Sequence, residues 1–366
     1  KIEKVYCTLT TASSYDVNSV EVTPYAYSDS TYYLQSLSDS IDFSAPVKFV
    51  MHAYDGITTK TYIAQVNIHQ IDPDSMIWIE AANPIVPVAI REQKTMKMEQ
   101  EGATSYLMYV QPATGEGYQR YQAVESNPSH WEQLSLSGLP AEGVCLSQMT
   151  YYNKVLYVAT ESGALYRSVD GLTWSEVEGA PVIRILLGEI PAGLRQKAVL
   201  AAVAEREGAF VYCAMDEASQ WTMGDVVPES FPASGFSAMD YESMHYQYLM
   251  VVAGRSIGNQ LLNTTWTSRD GLAWEQLGAS SKCFSQREGA MMTRYDDQLI
   301  LLGGLDADQQ GLKDIYCSID FGLNWTLADS TLVLPEAYEG RGFSSVWVDT
   351  ENFINILGGK TKCDAN

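Results

Sequence analysis

The chain has 366 residues, of which 46% are hydrophobic, so it is long enough for one large domain and a smaller one. Its 45 acidic residues outnumber its 23 basic residues, and a net charge of −22 repels phosphate backbones, which excludes nucleic acid as a partner. No stretch approaches the roughly 18 apolar residues of a membrane-spanning helix. The opening residues, Lys1 to Lys4, have no apolar core, so we expect any export leader or lipid anchor to belong to a precursor.

Residues 1–70 contain short β-type segments separated by turn residues, a pattern typical of a β-sandwich. The segments are 5–10, 20–23, 32–35, 47–51 and 61–68. Asp55-Gly56 is a strong hairpin signal, and with the strand that follows it resembles the last hairpin of bacterial immunoglobulin-like modules. We therefore predict an immunoglobulin-like sandwich over residues 1–70.

Six tryptophans divide the remaining residues, 71–366, into repeats of similar length. They are Trp78, Trp131, Trp174, Trp221, Trp274 and Trp325. Their separations are 53, 43, 47, 53 and 51 residues, which is close to the roughly 40–50 residues of a β-propeller blade. The series predicts an all-β body of six blades.

Three of these tryptophans follow a turn of one pattern, Ser-x-Asp-Gly, which in the third case has one more residue before the glycine. The turns contain Asp170 with Gly171, Asp270 with Gly271, and Asp320 with Gly322. The aspartate can accept hydrogen bonds from turn amides, and the glycine supplies a positive φ. Each turn predicts a link between a third strand and an outer strand that carries the tryptophan.

A second repeated signal is an apolar strand that ends in small residues, at 155–160, 248–254, 298–304 and 353–359. Small residues at this point let neighbouring backbones approach closely. Together the two signals predict blades of four strands. The run 194–207 fits either a helix or, over 198–203, a buried strand.

The diglycine strands with their preceding arginines resemble kelch repeats, and the aspartate turns resemble the Asp-box of sialidase-type propellers. The resemblance covers residues 71–366 and implies a propeller in which Asp170, Asp270 and Asp320 shape turns and take no part in catalysis. It also implies that blade-starting arginines brace neighbouring blades.

Closure of the ring depends on Trp78, since the C-terminal repeat offers two strands but no tryptophan. We predict that the segment around Trp78 supplies the outer strand of the last blade, which removes an open sheet edge. The third strand of that blade would have to come from residues 360–366.

Residues of types that carry chemistry are scattered along the chain. The cysteines, at 7, 145, 213, 283, 317 and 363, form no CxxC pair, and Cys213 and Cys317 occupy equivalent Tyr-Cys positions typical of buried free thiols. The histidines, at 52, 69, 130 and 245, have no neighbouring nucleophile or ligand. Asp306 and Asp308 fit a calcium ligand pair less well than a solvated loop. We predict no metal site and no cofactor.

Two kinds of enzymatic propeller need residue sets that this chain does not supply. A sialidase needs three converging arginines, a Tyr-Glu pair and an aspartate, yet its early Arg-Ile-Pro signature is absent, and 182–185 is only a faint echo of it. A galactose-oxidase-like copper centre needs two histidines and a Tyr-Cys cross-link, which four isolated histidines do not supply. We therefore expect a binding protein in preference to an enzyme.

Arg184, Arg287 and Arg341 each begin a repeat, so we expect them near the axial mouth of the propeller. Two interpretations stand: they brace neighbouring blades, or they bind an anionic or polyhydroxylated ligand. The second predicts an adhesion or binding protein that recognises a glycan or a surface protein as a monomer. The alternatives are a glycoside-active propeller and a scaffold of an outer-membrane nutrient-uptake complex.

The order of an immunoglobulin-like module, an Asp-Pro-Asp-Ser linker at 72–75 and a kelch-like propeller resembles an uncharacterised family of surface lipoproteins from gut Bacteroidetes. That resemblance implies an exported protein at the extracellular face of the outer membrane or in the periplasm.

Overall fold

The computed structural model describes residues 4–10, 17–25, 30–66, 75–80, 86–100, 102–278 and 283–361. It divides the chain into two compact units, Lys1–Ser75 and Met76–Asn366. Helical structure in the described ranges is limited to short 3₁₀ turns such as Leu146–Gln148, so the all-β prediction is confirmed. No described helix is long and apolar enough to span a membrane.

The smaller unit contains two antiparallel sheets. Its strands are β1 (Val5–Thr8), β2 (Ser19–Pro24), β3 (Tyr32–Tyr33), β4 (Ser38–Ile41), β5 (Val47–His52) and β6 (Thr59–Ala64). One sheet pairs β1 with β4, and the other has the order β3-β2-β5-β6. Burial alternates along β2, so that Val20 and Val22 join Ile41, Val47 and Phe49 in one core, as the two-residue period of a strand requires.

The hairpin between β5 and β6 shows how local sequence sets this unit. Asp55 Oδ1 accepts hydrogen bonds from the amides of Ile57 and Thr58, at 3.0 and 2.8 Å, and Gly56 has a φ of +70°. An aspartate followed by glycine suits such a turn because the side chain replaces a backbone partner. The end of the predicted segment 61–68 lies partly outside the described residues.

The larger unit contains seven sheets among its described residues, five of four strands and two of two strands. Six of them, sheets 1 to 6, correspond to the repeats, and the seventh is a short strand pair. Sheet 1 comprises β7 (Ile90–Gln100), β8 (Ala103–Pro112), β9 (Gln119–Val124) and β10 (Glu132–Leu134). Sheet 2 comprises β11 (Thr150–Tyr152), β12 (Val155–Ala159), β13 (Leu165–Ser168) and β14 (Ser175–Glu176). Sheet 3 comprises β15 (Ile183–Ile190), β16 (Val199–Arg206), β17 (Ala209–Asp216) and β18 (Trp221–Val226). The segment that fitted a helix or a strand is thus β16.

The remaining sheets follow in chain order. The short pair β19 (Pro232–Ser234) and β22 (Arg255–Ser256) flanks sheet 4, which comprises β20 (Ser237–Ser243), β21 (Tyr246–Val252), β23 (Thr265–Ser268) and β24 (Glu275–Gln276). Sheet 5 comprises β25 (Met291–Tyr295), β26 (Gln298–Leu302), β27 (Ile315–Ser318) and β28 (Thr326–Leu327), and sheet 6 comprises β29 (Ser345–Val348) and β30 (Ile354–Leu357).

Tight hairpins join the first two strands of several sheets. In sheets 2, 4 and 5 the turn has two consecutive residues with positive φ, namely Asn153-Lys154, Met244-His245 and Asp296-Asp297. Two such residues match the right-handed twist of the flanking strands, so the strands pair directly with their chain neighbours.

Six hydrophobic clusters lie in the described part of the larger unit, and each contains one tryptophan of the series. Each cluster joins two sheets that follow one another, or sheet 6 to sheet 1. The tryptophans of sheets 1 to 5, in that order, are Trp131, Trp174, Trp221, Trp274 and Trp325, and Trp78 packs in the cluster between sheets 5 and 6. The indole ring of each blade-like repeat therefore fills the space between its own sheet and the preceding one.

The segment around Trp78 differs from the expected outer strand. Residues 75–80 form no strand and lie beside residues 331–333, where the Met76 amide donates to Thr331 O at 2.8 Å and Trp78 Nε1 donates to Val333 O at 2.8 Å. Sheet 6 consequently has two strands in the described ranges. Most of the predicted third strand, 360–366, lies outside the described residues.

Cys213 and Cys317 lie on the third strands of sheets 3 and 5, at the equivalent positions the repeat indicates. The five cysteines in the described ranges are free thiols, and Cys363 lies outside them. Burial raises the pKa of the Cys213 thiol to about 12 and that of Cys145 to about 11, so both thiols stay protonated at neutral pH.

Candidate functional site in a central cavity

A cavity of about 520 Å³ lies at the centre of the larger unit. The first strand of each of the six sheets, or the residues just before it, lines this central cavity. Its wall includes charged, amide and hydroxyl groups next to methionine and aromatic side chains, and its volume falls within the usual range of small-molecule sites.

Two charged residues of β7 hold the backbone of Ser147, in the segment just before sheet 2, by its amide and its carbonyl group. Glu92 Oε1 accepts a hydrogen bond from the Ser147 amide at 3.1 Å, and Lys94 Nζ donates to Ser147 O at 3.3 Å. Alternate residues of a strand share a face, which is why Glu92 and Lys94 reach the same neighbour. Burial raises the pKa of Glu92 and lowers that of Lys94, although the negative charge of Glu92 opposes the change at Lys94.

Gln93 and Thr95, which alternate with Glu92 and Lys94 along β7, contact sheet 6 and the residues just before it. Gln93 Nε2 donates to Phe343 O at 3.2 Å and to Leu357 O at 3.1 Å, and the Thr95 amide donates to Ser345 Oγ at 2.8 Å. Sheet 1 is therefore hydrogen-bonded to the segment just before sheet 2 through one face of β7 and to sheet 6 through the other.

Gln148 extends these links to sheet 3 and to the short strand β19. Its Oε1 accepts from the Leu186 amide at 2.9 Å, and its Nε2 donates to Ala233 O at 3.2 Å. Such bonds satisfy polar groups that would otherwise be buried without partners, and they hold the first strands around the cavity.

Glu189 and Asp240 supply a pair of carboxyl groups on the neighbouring first strands β15 and β20. Desolvation by the surrounding protein raises the pKa of each group, and the negative charge of Asp240 raises that of Glu189 further. A raised pKa means that the surroundings favour the protonated form, which can donate as well as accept a hydrogen bond.

Arg287 does not line the central cavity, contrary to the expectation of a ligand-binding arginine at its mouth. Its side chain is 0% exposed, and all five N–H groups have acceptors: Ser285 O and Oγ, Gly303 O, and both carboxylate oxygens of Asp314, the last two at 2.6 and 2.9 Å. The guanidinium also lies over the ring of Tyr316. This arrangement is that of a brace, because no donor remains for a ligand.

Arg184 and Arg341 are also absent from the cavity lining. Arg184 forms an ion pair with Glu205, with Nη2 2.7 Å from Oε2, and donates through Nη1 to Glu161 O. Arg341 donates to Glu339 O and Gly358 O and lies over the Tyr338 ring, 4.9 Å from its centroid. The three arginines are therefore held apart from one another by local partners.

The aspartate turns have the geometry of structural caps. Asp170 Oδ1 accepts from the amides of Leu172 and Thr173, both at 2.8 Å, and the turn of Asp270 repeats the pattern. Gly171 has a φ of +69°, and a Cβ there would lie 2.8 Å from Tyr109 Oη. Equivalent turns are formed by Asp270 with Gly271 and by Asp320 with Gly322. None of these turn residues lines the cavity, so their role is to shape the ends of the sheets.

Among the described residues, no group of three or more His, Cys, Asp or Glu side chains could hold a metal ion. His52 contacts Glu21 at 3.3 Å in the smaller unit, and His69 lies outside the described residues. Asp306 Oδ1 accepts from the amides of Asp308 and Gln310, both at 2.9 Å, so this carboxylate oxygen caps its own loop.

The charged residues of the central cavity were missed by the sequence analysis. Glu92, Lys94, Glu189 and Asp240 stand in no motif, and each alone looks like an ordinary strand residue. The available signal was their position, since each of them stands on the first strand of a blade-like repeat, and these first strands line the central cavity. That position could be recognised only once the first strands had been assigned.

Family models match both parts of the chain. The DUF6242 beta propeller domain matches residues 72–366, and the DUF6242 N-terminal domain, a domain of unknown function, matches residues 1–66. A solved structure titled "Structure of YjhT" has a similar fold, with 13% identity, a TM-score of 0.50, and coverage of 76% of this chain and 93% of that one. No curated protein matches the chain. The prediction of a propeller family without an assigned activity is confirmed, and the chain belongs to the DUF6242 family, whose larger domain is a β-propeller.

Proposed function

We propose that this chain is a non-catalytic binding protein that takes part of a glycan into the central cavity of its propeller. The observation that carries the proposal is the cavity lining, in which the first strands β7, β15 and β20 place Glu92, Lys94, Glu189 and Asp240 beside about 520 Å³ of space. The predicted arginines are absent from this lining. In Arg287 all five N–H groups already donate to residues of the protein.

The proposal includes a ring of six blades. Six sheets, six tryptophan-containing clusters and the bonds from Gln93 to sheet 6 support closure between the first and last sheets. A closed ring has no open sheet edge at its centre, so its first strands can present side chains to a ligand.

A polyhydroxylated ligand suits the chemistry of the lining. Sugar hydroxyl groups both donate and accept hydrogen bonds, and the cavity offers donors on Lys94 and Gln148 and acceptors on Glu189 and Asp240. The pKa values of Glu189 and Asp240 are raised because their surroundings disfavour negative charge. The same surroundings suit a neutral ligand better than an anionic one.

The test is to block the cavity without disturbing the core. Ala238 lines the cavity and its side chain is exposed, so Ala238→Trp fills space that a ligand would use. Ala209→Trp is the matched control, since Ala209 is exposed at the end of β17 and does not line the cavity. On a printed array of neutral and acidic oligosaccharides we expect the wild type and Ala209→Trp to bind the same glycans and Ala238→Trp to lose them. Equal binding by all three contradicts the proposal.

A second candidate function is glycoside hydrolysis, favoured by the carboxyl pair of Glu189 and Asp240. Such enzymes use two carboxyl groups, one with a raised pKa, on either side of the scissile bond. Release of reducing sugar from array-positive oligosaccharides, abolished by Glu189→Gln, would establish this function. Binding without release in the wild type would exclude it for those glycans.

We further propose that the smaller unit is an immunoglobulin-like sandwich and that the protein is exported to the cell surface or periplasm, where it meets glycans or surface proteins. One core in which Ile41 of β4 joins β2 and β5 supports the sandwich. Protease accessibility of the native protein on intact cells would test the location, since a protein inside the cell stays protected.

A further inference from the structure

Three aromatic rings form a stack where sheets 4 and 5 meet. Tyr241 of β20 lies between Tyr248 of β21, with ring centroids 5.1 Å apart and planes 14° apart, and Phe321, with centroids 5.0 Å apart and planes 19° apart. Tyr241 and Tyr248 face each other across one hairpin, whereas Phe321 comes from the turn of the next sheet. The rings are nearly parallel, which is a favourable arrangement for aromatic side chains.

Phe321 is the additional residue in the third aspartate turn. The turns at Asp170 and Asp270 place glycine directly after the aspartate, whereas Phe321 stands between Asp320 and Gly322. It adopts a φ of +55°, a region that is strained for a bulky residue, although Gly322 still supplies the glycine of the turn with a φ of +82°. The turn does not need Phe321, since the two shorter turns form the same hydrogen bond, in which the glycine amide donates to the serine hydroxyl oxygen. The strained residue does place an aromatic ring on Tyr241.

Phe321 is the most exposed of the three rings in the stack. Phe321 is 37% exposed, and Tyr241 and Tyr248 are half-buried. The Tyr241 hydroxyl shares a hydrogen bond with Thr267 Oγ1 at 3.0 Å, which holds the middle ring in place. Tyr241 directly follows Asp240, which lines the central cavity, so the stack begins one residue from the cavity wall.

We propose that the exposed face of Phe321 binds one pyranose ring of a glycan, as a second contact beside the central cavity. This inference rests on the proposed glycan-binding function. The face of an aromatic ring carries partial negative charge and attracts the weakly positive C–H groups that a pyranose presents on its flat side. Tyr241 and Tyr248 support the ring from behind and fix its orientation, which reduces the loss of side-chain freedom on binding.

The size of the platform separates a sugar from a protein partner. Ile319 and Leu323 lie on the same turn and are 84% and 46% exposed, but neither belongs to the ring stack. A protein interface would cover these side chains together with Phe321, whereas one pyranose covers a single aromatic ring. Variants of Ile319 and of Phe321 therefore give different results for the two kinds of partner.

The experiment uses the full chain and the printed oligosaccharide array, with titration of the best-bound soluble glycan. Phe321→Gly removes the ring and relieves the positive φ, so its thermal unfolding midpoint should not fall, while its affinity falls about tenfold. Phe321→Tyr should keep the affinity, and Ile319→Ala is the control that should also keep it.

Unchanged glycan affinity in Phe321→Gly overturns the inference, and so does an equal loss in Ile319→Ala. Absence of glycan binding by the wild type is a different outcome, since it removes the proposed function itself. Loss in Ala238→Trp with no change in Phe321→Gly keeps the cavity as the binding site and rejects the aromatic platform.

Discussion

The side-chain amide of Gln93 donates a hydrogen bond to the carbonyl oxygen of Leu357 at 3.1 Å, although the two residues are 264 positions apart. Gln93 lies on the first strand of sheet 1 and is 7% exposed, and Leu357 ends the last strand of sheet 6. One buried amide therefore joins the two ends of the propeller domain beside the central cavity.

Replacement of Gln93 by leucine should destabilise the protein by about 1–3 kcal/mol, because the carbonyl groups of Phe343 and Leu357 lose their shared donor in a buried position. Urea unfolding monitored by tryptophan fluorescence measures the loss. Gln133→Leu, at an exposed position on β10, is the matched control and should unfold at the wild-type urea concentration. Equal midpoints for the two variants would show that this bond does not contribute to closure.

Arg287→Met should cost about 2–4 kcal/mol, since it removes a fully buried guanidinium and leaves two backbone carbonyls without this donor, while the Asp314 side chain is 28% exposed and can be solvated. Arg184→Met removes a pair that is about one-third exposed and should cost much less. The folded fraction of Arg287→Met should bind array glycans as the wild type does. An Arg287→Met variant that is as stable as the wild type but does not bind glycans would instead show that Arg287 contributes to the ligand site.

Trp78→Ala should destabilise the domain by roughly 2–4 kcal/mol, because the indole packs between sheets 5 and 6 and its Nε1 donates to Val333 O. Ile79→Ala is the control, since the Ile79 side chain is 88% exposed. Differential scanning calorimetry compares the two. If Trp78→Ala has the same melting temperature as the wild type, the segment 75–80 is not part of the domain core.

Asp240→Asn should alter stability in a pH-dependent way. The folded pKa of Asp240 is raised by desolvation, so between the ordinary aspartate pKa and that raised value the folded state binds more protons than the unfolded state. Stability contributed by this group is therefore present at low pH and is lost as the pH rises through the folded pKa. The asparagine variant, which never ionises, should gain most in melting temperature over the wild type at pH 8 and progressively less toward pH 4.

The control for this series is Asp297→Asn, which removes one negative charge from a side chain that is 97% exposed. A gain for Asp240→Asn that does not change between pH 4 and pH 8, or that equals the gain for Asp297→Asn, would contradict a desolvated carboxyl group in the cavity.

Much of the fold could be predicted because its signals are local or repeated. The aspartate turns need only a side-chain acceptor and a glycine a few positions apart, and the apolar strands need only a short run of residues. The tryptophan series extends this to the whole domain, since one indole per interval is enough to count repeats. The outer strand predicted at Trp78 did not form, because the segment hydrogen-bonds to residues 331–333 in an irregular conformation.

The site could not be predicted in the same way, because its residues are close in space and far apart in sequence. Arg287 was a reasonable ligand-binding candidate from its place at the start of a repeat, yet Ser285, Gly303 and Asp314 take all of its donors. Glu189 and Asp240 belong to different repeats and carry no motif, and only the assembled first strands bring them to one cavity.

The amino-acid sequence by itself determined the β class, the repeat interval and the turns, since each of these depends on interactions within a few residues or on a pattern that recurs along the chain. Only the tertiary structure decided which charged side chains face the cavity and which form hydrogen bonds and ion pairs with neighbouring parts of the protein. The physical reason is that hydrogen-bond partners and desolvation are supplied by neighbouring sheets, so the role of Arg287 or Asp240 depends on what packs against it in space.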